Sequence, residues 1–244
     1  MVLGDDWLFN LTEVGPALKH ARESGWVSPL FPLVFVALPM FWLGALLVYW
    51  VEGPVKQKFN LSEFTGSVKS QAVLAFLWSC GPVCRVFLDN SKVDMTLEEY
   101  VWKGAAAAII VDAAFYWVHR AMHDIPWLRQ FHAKHHALLA KHTVWGGVDD
   151  DLVEVLCIFA YLNLPFCVLT VTPECIVIYI AVGAVQTALM HGTTIGGWWA
   201  PPWPTVGAIV HHGHHQTITK NYGGVFVFWD HLMGTNKPLG EKAS

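Results

Sequence analysis

Eight histidines of this chain fall into three short clusters: His119 with His123, His132 with His135 and His136, and His211 with His214 and His215. Read as spacings they are H-x3-H, H-x2-H-H and H-x2-H-H. Residues three and four apart on a helix share one face, about 5–6 Å apart at Cβ. Each cluster therefore turns two or three imidazoles toward one spot, and a fold that kept the clusters apart would leave the spacing without a purpose. Neutral imidazole is the commonest metal ligand and suits iron, copper, nickel and zinc. Eight rings are more than one ion can use, so the spacing predicts a two-metal centre.

The polypeptide between the clusters is largely apolar. Charged residues make up 14% of the chain, against roughly 25% in soluble domains, which predicts an integral membrane protein. Leu30–Val51 is uncharged and long enough to span a bilayer, with Pro39 expected to kink it. Residues 70–88, interrupted by Gly81-Pro82, form a second candidate, and 104–118 form a third that can continue as helix through His123. Residues 152–171 and 175–191, joined at Thr172-Pro173-Glu174, read as a hairpin of two more. The prolines and tryptophans of 195–210 predict an interfacial loop. Residues 5–28 also read as interfacial, with an apolar stripe of Trp7, Leu8, Leu11 and Val14. The predicted fold class is all-α, an integral membrane helical bundle of four to five transmembrane segments. It divides into an interfacial segment (1–29), three spans (30–118) and a catalytic region (119–244) that includes the hairpin 152–191.

Topology follows from lysine and arginine. Arg120, Arg129, Lys134 and Lys141 follow the third span, and Lys220, Lys237 and Lys242 lie in the C-terminal region. The hairpin puts both groups on one side, which positive-inside bias makes cytoplasmic. The loop containing Lys56, Lys58 and Lys69 joins them, and the acidic loop with Asp89, Asp94, Glu98 and Glu99 falls outside. All three histidine clusters are then cytoplasmic. A net charge of −4 without a basic run predicts no nucleic-acid partner. The five cysteines show no disulfide framework or C-x-x-C knuckle, and the acidic opening Met-Val-Leu-Gly-Asp-Asp does not predict a cleavable signal.

Other residues are candidates around the clusters. His191 closes the fifth apolar run, as a ninth ligand or as a histidine favoured by a helix C-terminus. His212 has the wrong helical phase, and His142 lies about 10 Å beyond His135 along a helix axis; His20 and His231 read as surface or packing residues. Asp112 and Tyr116, on one helical stripe with His119 and His123, are the candidate catalytic residues. A carboxylate inside an apolar run is costly. Asp112 therefore either supports a histidine of another cluster or a cavity water, or makes a structural bond to a neighbouring helix. Asp149, Asp150, Asp151 and Glu154 could orient histidines or cap a helix. H-E-x-x-H is absent, which disfavours a zinc protease, and no Ser/His/Asp elbow or phosphate loop is present. Paired nitrogen-rich sites without thiolate suit redox iron that activates dioxygen.

Over residues 100–236 the chain resembles the membrane-bound fatty acid hydroxylase and sterol desaturase superfamily. The resemblance rests on Tyr116-Trp117-x-His119-Arg120-x-x-His123, on Phe131-His132-x-x-His135-His136, and on His211-x-x-His214-His215. Asn221-Tyr222-Gly223 and Trp229-Asp230-x-x-x-Gly234-Thr235 complete it. It implies two iron ions held by His119, His123, His132, His135, His136, His211, His214 and His215, with His191 a further ligand. It also implies a cytosolic histidine-rich helical cap, dioxygen, and electrons from NAD(P)H through a b-type cytochrome and its reductase. The substrate would be a lipid (sterol, fatty acyl, sphingoid or isoprenoid), and in a eukaryote the location would be the endoplasmic reticulum membrane. One departure stands out. Many members carry a His-Pro pair ahead of a glutamate after the second box, whereas this chain has Glu154 without the pair. No substrate is therefore carried over. The expected function is oxygen-dependent lipid hydroxylation, with desaturation as the near alternative and a membrane metal transporter or sensor as the distant one. A permeation path would need ionisable ligands at mid-membrane on several helices, and only Asp112 sits there.

Overall fold

A computed structural model describes residues 38–79, 95–139, 143–192 and 206–237. Among them it is all-helical, without strands. The elements are α1 (Leu38–Lys56), α2 (Leu61–Ser79), α3 (Leu97–Asp124), α4 (Pro126–Leu139), a 3-10 turn (Val144–Gly146), α5 (Leu152–Val168), α6 (Pro173–Met190), α7 (Ala208–Thr217) and the short α8 (Phe228–Leu232). The expected interfacial segment at 5–28, residues 195–205 of the expected loop 195–210, and the Gly81-Pro82 interruption lie outside the described residues; 208–210, expected in that loop, instead form the first turn of α7.

Helix α3 organises the rest. Thr96 begins it with a capping box: Glu99 N donates to Thr96 Oγ1 at 3.2 Å and Thr96 N donates to Glu99 Oε2 at 3.0 Å. Its alanine-rich centre favours helix, and its 28 residues extend about 42 Å, beyond the roughly 30 Å of a bilayer's hydrocarbon core. It is the one helix among the described residues that is long and apolar enough to cross a membrane. Leu152–Val168 and Tyr179–Met190 are shorter apolar helical stretches. The first histidine cluster thus sits in the last turns of a helix whose middle is apolar. Pro126 forces Ile125 out of the helical region (φ −93°, ψ 114°), and the chain turns there into α4.

Two apolar clusters hold the bundle. Phe41, Ala45 and Val48 of α1 pack with Ala188 of α6 and with Val144 and Trp145 of the turn. The helices approach closely because position 44 is glycine: a Cβ there would lie 2.8 Å from that of Ala188. Trp78, Val111 and Leu162 join α2, α3 and α5. Within the described part of the first helix a break falls at Gly53-Pro54; the turn ahead of Pro39, where its expected kink would act, lies outside the described residues. Gly53 adopts φ 78°, ψ 165°, open to glycine without a Cβ penalty, and Pro54 removes a donor. Lys69, read from sequence as a loop residue, lies inside α2. That helix begins earlier because Asn60 Oδ1 accepts from Ser62 N and Glu63 N.

Helix α2 also fixes the segment leading into α5. Ser67 Oγ donates to Trp145 O at 2.8 Å, and Ser70 Oγ accepts from Asp150 N at 3.1 Å. Asp151 then caps α5, accepting from Val153 N. The acidic run 149–154 is thereby divided: one carboxylate caps a helix and the others face α4.

Candidate metal centre

The nine candidate histidines come from α3, α4, the end of α6 and α7, and gather into two adjoining groups. One comprises His119, His123, His132, His136 and His214; the other comprises His135, His191, His211 and His215. Within each group the nearest ring nitrogens lie within 4.8 Å of one another. In the first, His136 Nε2 is 3.1 Å from both His123 Nε2 and His132 Nε2, and 3.3 Å from His214 Nε2. In the second, His211 Nε2 is 3.3 Å from His191 Nε2 and 3.0 Å from His215 Nε2. The groups touch where the His136 and His215 rings stand 4.2 Å apart. His191 was separated from the nearest cluster by twenty residues in sequence; here it belongs to the second group. His212 belongs to neither group and His231 is exposed, while His20 and His142 lie outside the described residues.

The far side of several rings is fixed. His119 Nδ1 faces Tyr222 O at 2.9 Å, His214 Nδ1 faces Lys220 O at 2.7 Å, and His191 Nδ1 faces Thr187 O. A carbonyl oxygen only accepts, so each Nδ1 carries the proton and each Nε2 presents a lone pair to the interior. His132 Nδ1 meets Glu154 Oε1 at 2.7 Å. His135 Nδ1 stands 3.4 Å from Asp150 Oδ1, within ion-pair range but outside hydrogen-bond geometry. Gly147 leaves room for the His191 ring, since a Cβ there would lie 3.0 Å from its Nδ1.

These contacts test whether a metal fits. His136 Nε2 faces three ring nitrogens across 3.1–3.3 Å and His211 Nε2 faces two across 3.0–3.3 Å; one ring proton can serve only one of them, so the remaining lone pairs repel unless a cation lies between them. An imidazole nitrogen sits about 2.0–2.1 Å from a zinc ion, so two such ligands at 90–109° stand about 2.8–3.4 Å apart. The observed separations match that requirement. The donor set is all nitrogen, with no thiolate in either group, which suits first-row ions with imidazole preference.

Electrostatics agree with neutral rings. Burial, and then the neighbouring His135 and His123, push His136 down to about 3 from an ordinary value of 6.5. His132, His211, His214 and His215 are also pushed down, by burial first and neighbouring imidazoles second. The sign for stability follows. Unfolded histidine takes up its proton near pH 6.5 and the folded rings resist it, so acid favours the unfolded chain. Metal-free protein is therefore expected to lose stability from about pH 7 downward, by up to about 1.4 kcal/mol per pH unit for each histidine involved. Thermal unfolding of chelator-treated protein between pH 7.5 and 5 checks this; a flat profile would show that the rings are not buried as described.

The C-terminal segment explains why the third cluster is followed by Asn221-Tyr222-Gly223. Asn221 takes a left-handed turn (φ 59°), which asparagine tolerates, and Tyr222 then aims its carbonyl at His119. Asp230 anchors the turn, accepting from Tyr222 N at 2.8 Å, Gly223 N at 2.7 Å and Thr235 Oγ1 at 2.8 Å. A Cβ on Gly223 would lie 2.6 Å from Phe226 O and 2.9 Å from Asp230 Oδ2. The motif's task is to orient a ring about a hundred residues away, which no local pattern reveals.

Asp112 and Tyr116 bind the same segment. Asp112 Oδ1 accepts from Val225 N at 2.7 Å and Phe226 N at 3.4 Å. The Tyr116 hydroxyl meets Thr235 Oγ1 at 2.8 Å and accepts from Arg120 at 3.3 Å. Their polar contacts run to this segment and to Arg120, not to a histidine nitrogen. Glu154 and Asp150 are the residues that reach histidines, an alternative the sequence left open beside capping.

A cavity of about 240 Å³ adjoins both groups. Its histidine end includes His119, His132, His135, His191 and His211, and it runs into the bundle between Phe115, Val118, Met122, Ile158, Leu162 and Ile180.

Residues 104–235 match the family model described as fatty acid hydroxylase. A putative Delta(7)-sterol-C5(6)-desaturase 2 of Arabidopsis thaliana is 27% identical over 168 residues, covering 63% of this chain and 57% of that protein. A Delta(7)-sterol-C5(6)-desaturase of Nicotiana tabacum is 30% identical over 153 residues, 59% and 53% of the two chains. The human alkylglycerol monooxygenase is 23% identical over 213 residues, 81% and 45%. The chain thus spans about half the length of these relatives. No solved structure matches it.

Proposed function

The chain belongs to the fatty acid hydroxylase family, and on that premise we propose that it is an oxygen-dependent lipid C–H hydroxylase built around two histidine-held iron ions. The observation that carries this reading is the pair of imidazole groups, with Nε2 atoms facing one another, set at the end of an apolar cavity. One ion would be held by His119, His123, His132, His136 and His214, the other by His135, His191, His211 and His215. Bound iron supplies dioxygen activation and oxidation of an unactivated C–H bond.

The chain's own residues do the remaining work. The carbonyls of Tyr222, Lys220 and Thr187 hold the Nδ1 protons and so fix ring orientation. Phe115, Val118, Met122 and Leu162 exclude water and seat a hydrocarbon against the histidines. We place the protein as a multi-pass membrane enzyme with its histidine site cytosolic, in the endoplasmic reticulum membrane if the host is eukaryotic. Electrons would come from NAD(P)H through a b-type cytochrome and its reductase. Asp112 and Tyr116 act in this reading as positioning residues that hold the C-terminal segment against α3.

Glu154 gives this reading a direct check. Its carboxylate takes the Nδ1 side of His132, and loss of such a partner typically costs about 10–100-fold in metal affinity or activity. Glu154→Gln keeps the shape and removes the charge. It is expected to weaken metal retention against a chelator by about tenfold or more, and unchanged retention would remove Glu154 from the ligand scaffold.

Desaturation is the second reading, favoured by the relatives that carry that name. Lipid mass spectrometry of host membranes with and without the protein separates the two. A product gaining one oxygen atom supports hydroxylation, a product losing two hydrogens supports desaturation, and neither product would count against both. A transporter or metal sensor would leave the apolar cavity beside the histidines without an occupant.

A further inference from the structure

The cavity is not uniformly apolar. Asp112, Tyr161 and Tyr179 also line it, from α3, α5 and α6. Tyr161 packs edge-on against Phe115, with ring centroids 5.6 Å apart. Its phenol is an electrostatic neighbour of Tyr179, which in turn neighbours Asp112. Neither tyrosine hydroxyl makes a hydrogen bond among the described residues, and Asp112 Oδ2 is buried without a partner. The indole nitrogen of Trp229 lies beside that carboxylate but outside hydrogen-bond geometry. Buried polar groups in native proteins are paired with few exceptions, and a buried tyrosine hydroxyl usually finds a partner. One such oxygen, beside two phenols without a protein partner on the wall of one cavity, points to a partner supplied by the ligand.

We propose that Tyr161 and Tyr179, beside Asp112, form a polar subsite that binds a hydroxyl group carried on the hydrocarbon body of a lipid. The proposal rests on the reading of this cavity as the substrate's seat. A hydroxyl both donates and accepts, so it can satisfy a phenol and give a proton to Asp112 Oδ2. A carbonyl could only accept, and a carboxylate would meet the Asp112 charge. The position is also informative. Asp112 precedes His119 by seven residues on α3, and Tyr161 follows Glu154 by seven on α5. Seven residues advance about 10 Å along a helix, so both helices place the subsite about one such length from the histidine end. A bound hydroxyl there would fix which carbon meets the metal centre.

Binding can be read without turnover. In purified, metal-replete protein held without reductant, stearate and a series of hydroxystearates with the hydroxyl at successive chain positions would compete with the fluorescent chain cis-parinaric acid. One hydroxyl position is expected to compete at roughly three- to tenfold lower concentration than stearate, the worth of one buried hydrogen bond. The double change Tyr161→Phe with Tyr179→Phe is expected to abolish that preference. Equal competition by every chain, no competition by any, or a preference that survives both changes would overturn the subsite. The outcome is separable from the oxygenase reading. A hydroxyl preference without lipid oxidation leaves the subsite standing, and lipid oxidation without a preference removes only the subsite.

Discussion

His214→Ala is expected to leave the purified protein with its helices formed, its metal content sharply reduced and its turnover lowered by more than about 100-fold. Outer partners of metal ligands alone typically cost about 10–100-fold, and His214 stands inside that shell. Its Nε2 lies 3.3 Å from His136 Nε2, its ring packs 4.4 Å from that of His119, and its Nδ1 is held by Lys220 O. The side chain has no exposed surface, so water cannot replace the lost nitrogen without rearrangement. The helix itself should survive, because alanine favours helix more than histidine does. His231→Ala, at an exposed position, is the matching control and should keep full metal and activity. Metal analysis and lipid turnover of the two variants side by side check the expectation. Full metal in His214→Ala would remove this ring from the cage.

Asp230→Ala is expected to have the largest effect on stability, a loss of roughly 3–5 kcal/mol, because three buried neutral donors would lose their shared acceptor at about 1–3 kcal/mol each. The side chain is 1% exposed and accepts from two backbone N–H groups and the Thr235 hydroxyl. Burial pushes its carboxyl up from the usual range, and the Thr235, Gly223 and Tyr222 donors pull it partly back. Those donors would be left without an acceptor in a site too tight to admit solvent freely. The damage should reach the metal centre, since Tyr222, whose N–H binds Asp230, also gives the carbonyl that orients His119. Thermal or chemical unfolding of metal-free protein isolates the structural part, and metal retention isolates the other. A variant within about 1 kcal/mol of wild type would mean that the turn holds itself without this anchor.

Much of this was legible in the sequence, for identifiable reasons. The three histidine boxes are local helical patterns, so spacing alone placed their rings on shared faces, and α3, α4 and α7 present them that way. The continuation of the third apolar run through His123 also followed from local signals, as did the two successive helices α5 and α6. Yet α5 packs mainly on α3 and α6 mainly on α1, rather than on each other as the expected hairpin. Which histidines share a group was not legible. His135 and His136 are neighbours in sequence yet face different groups, because adjacent residues on a helix point about 100° apart. The partners of His119 and His214 were hidden because they are backbone carbonyls, which leave no mark on residue identity. Asp112 stood out as costly, but only packing shows that Val225 and Phe226 satisfy one of its oxygens. Helix starts set by a single side chain, such as Asn60 ahead of α2, were missed for want of a hydrophobic period to reveal them.

The measurement that bears most directly on the account is iron quantification of the purified protein combined with X-ray absorption at the iron edge. Two histidine cages should hold close to two iron ions per chain, each in a nitrogen-dominated shell without sulfur. A folded chain that holds no iron after exposure to excess ferrous iron, or iron bound through sulfur, would contradict this.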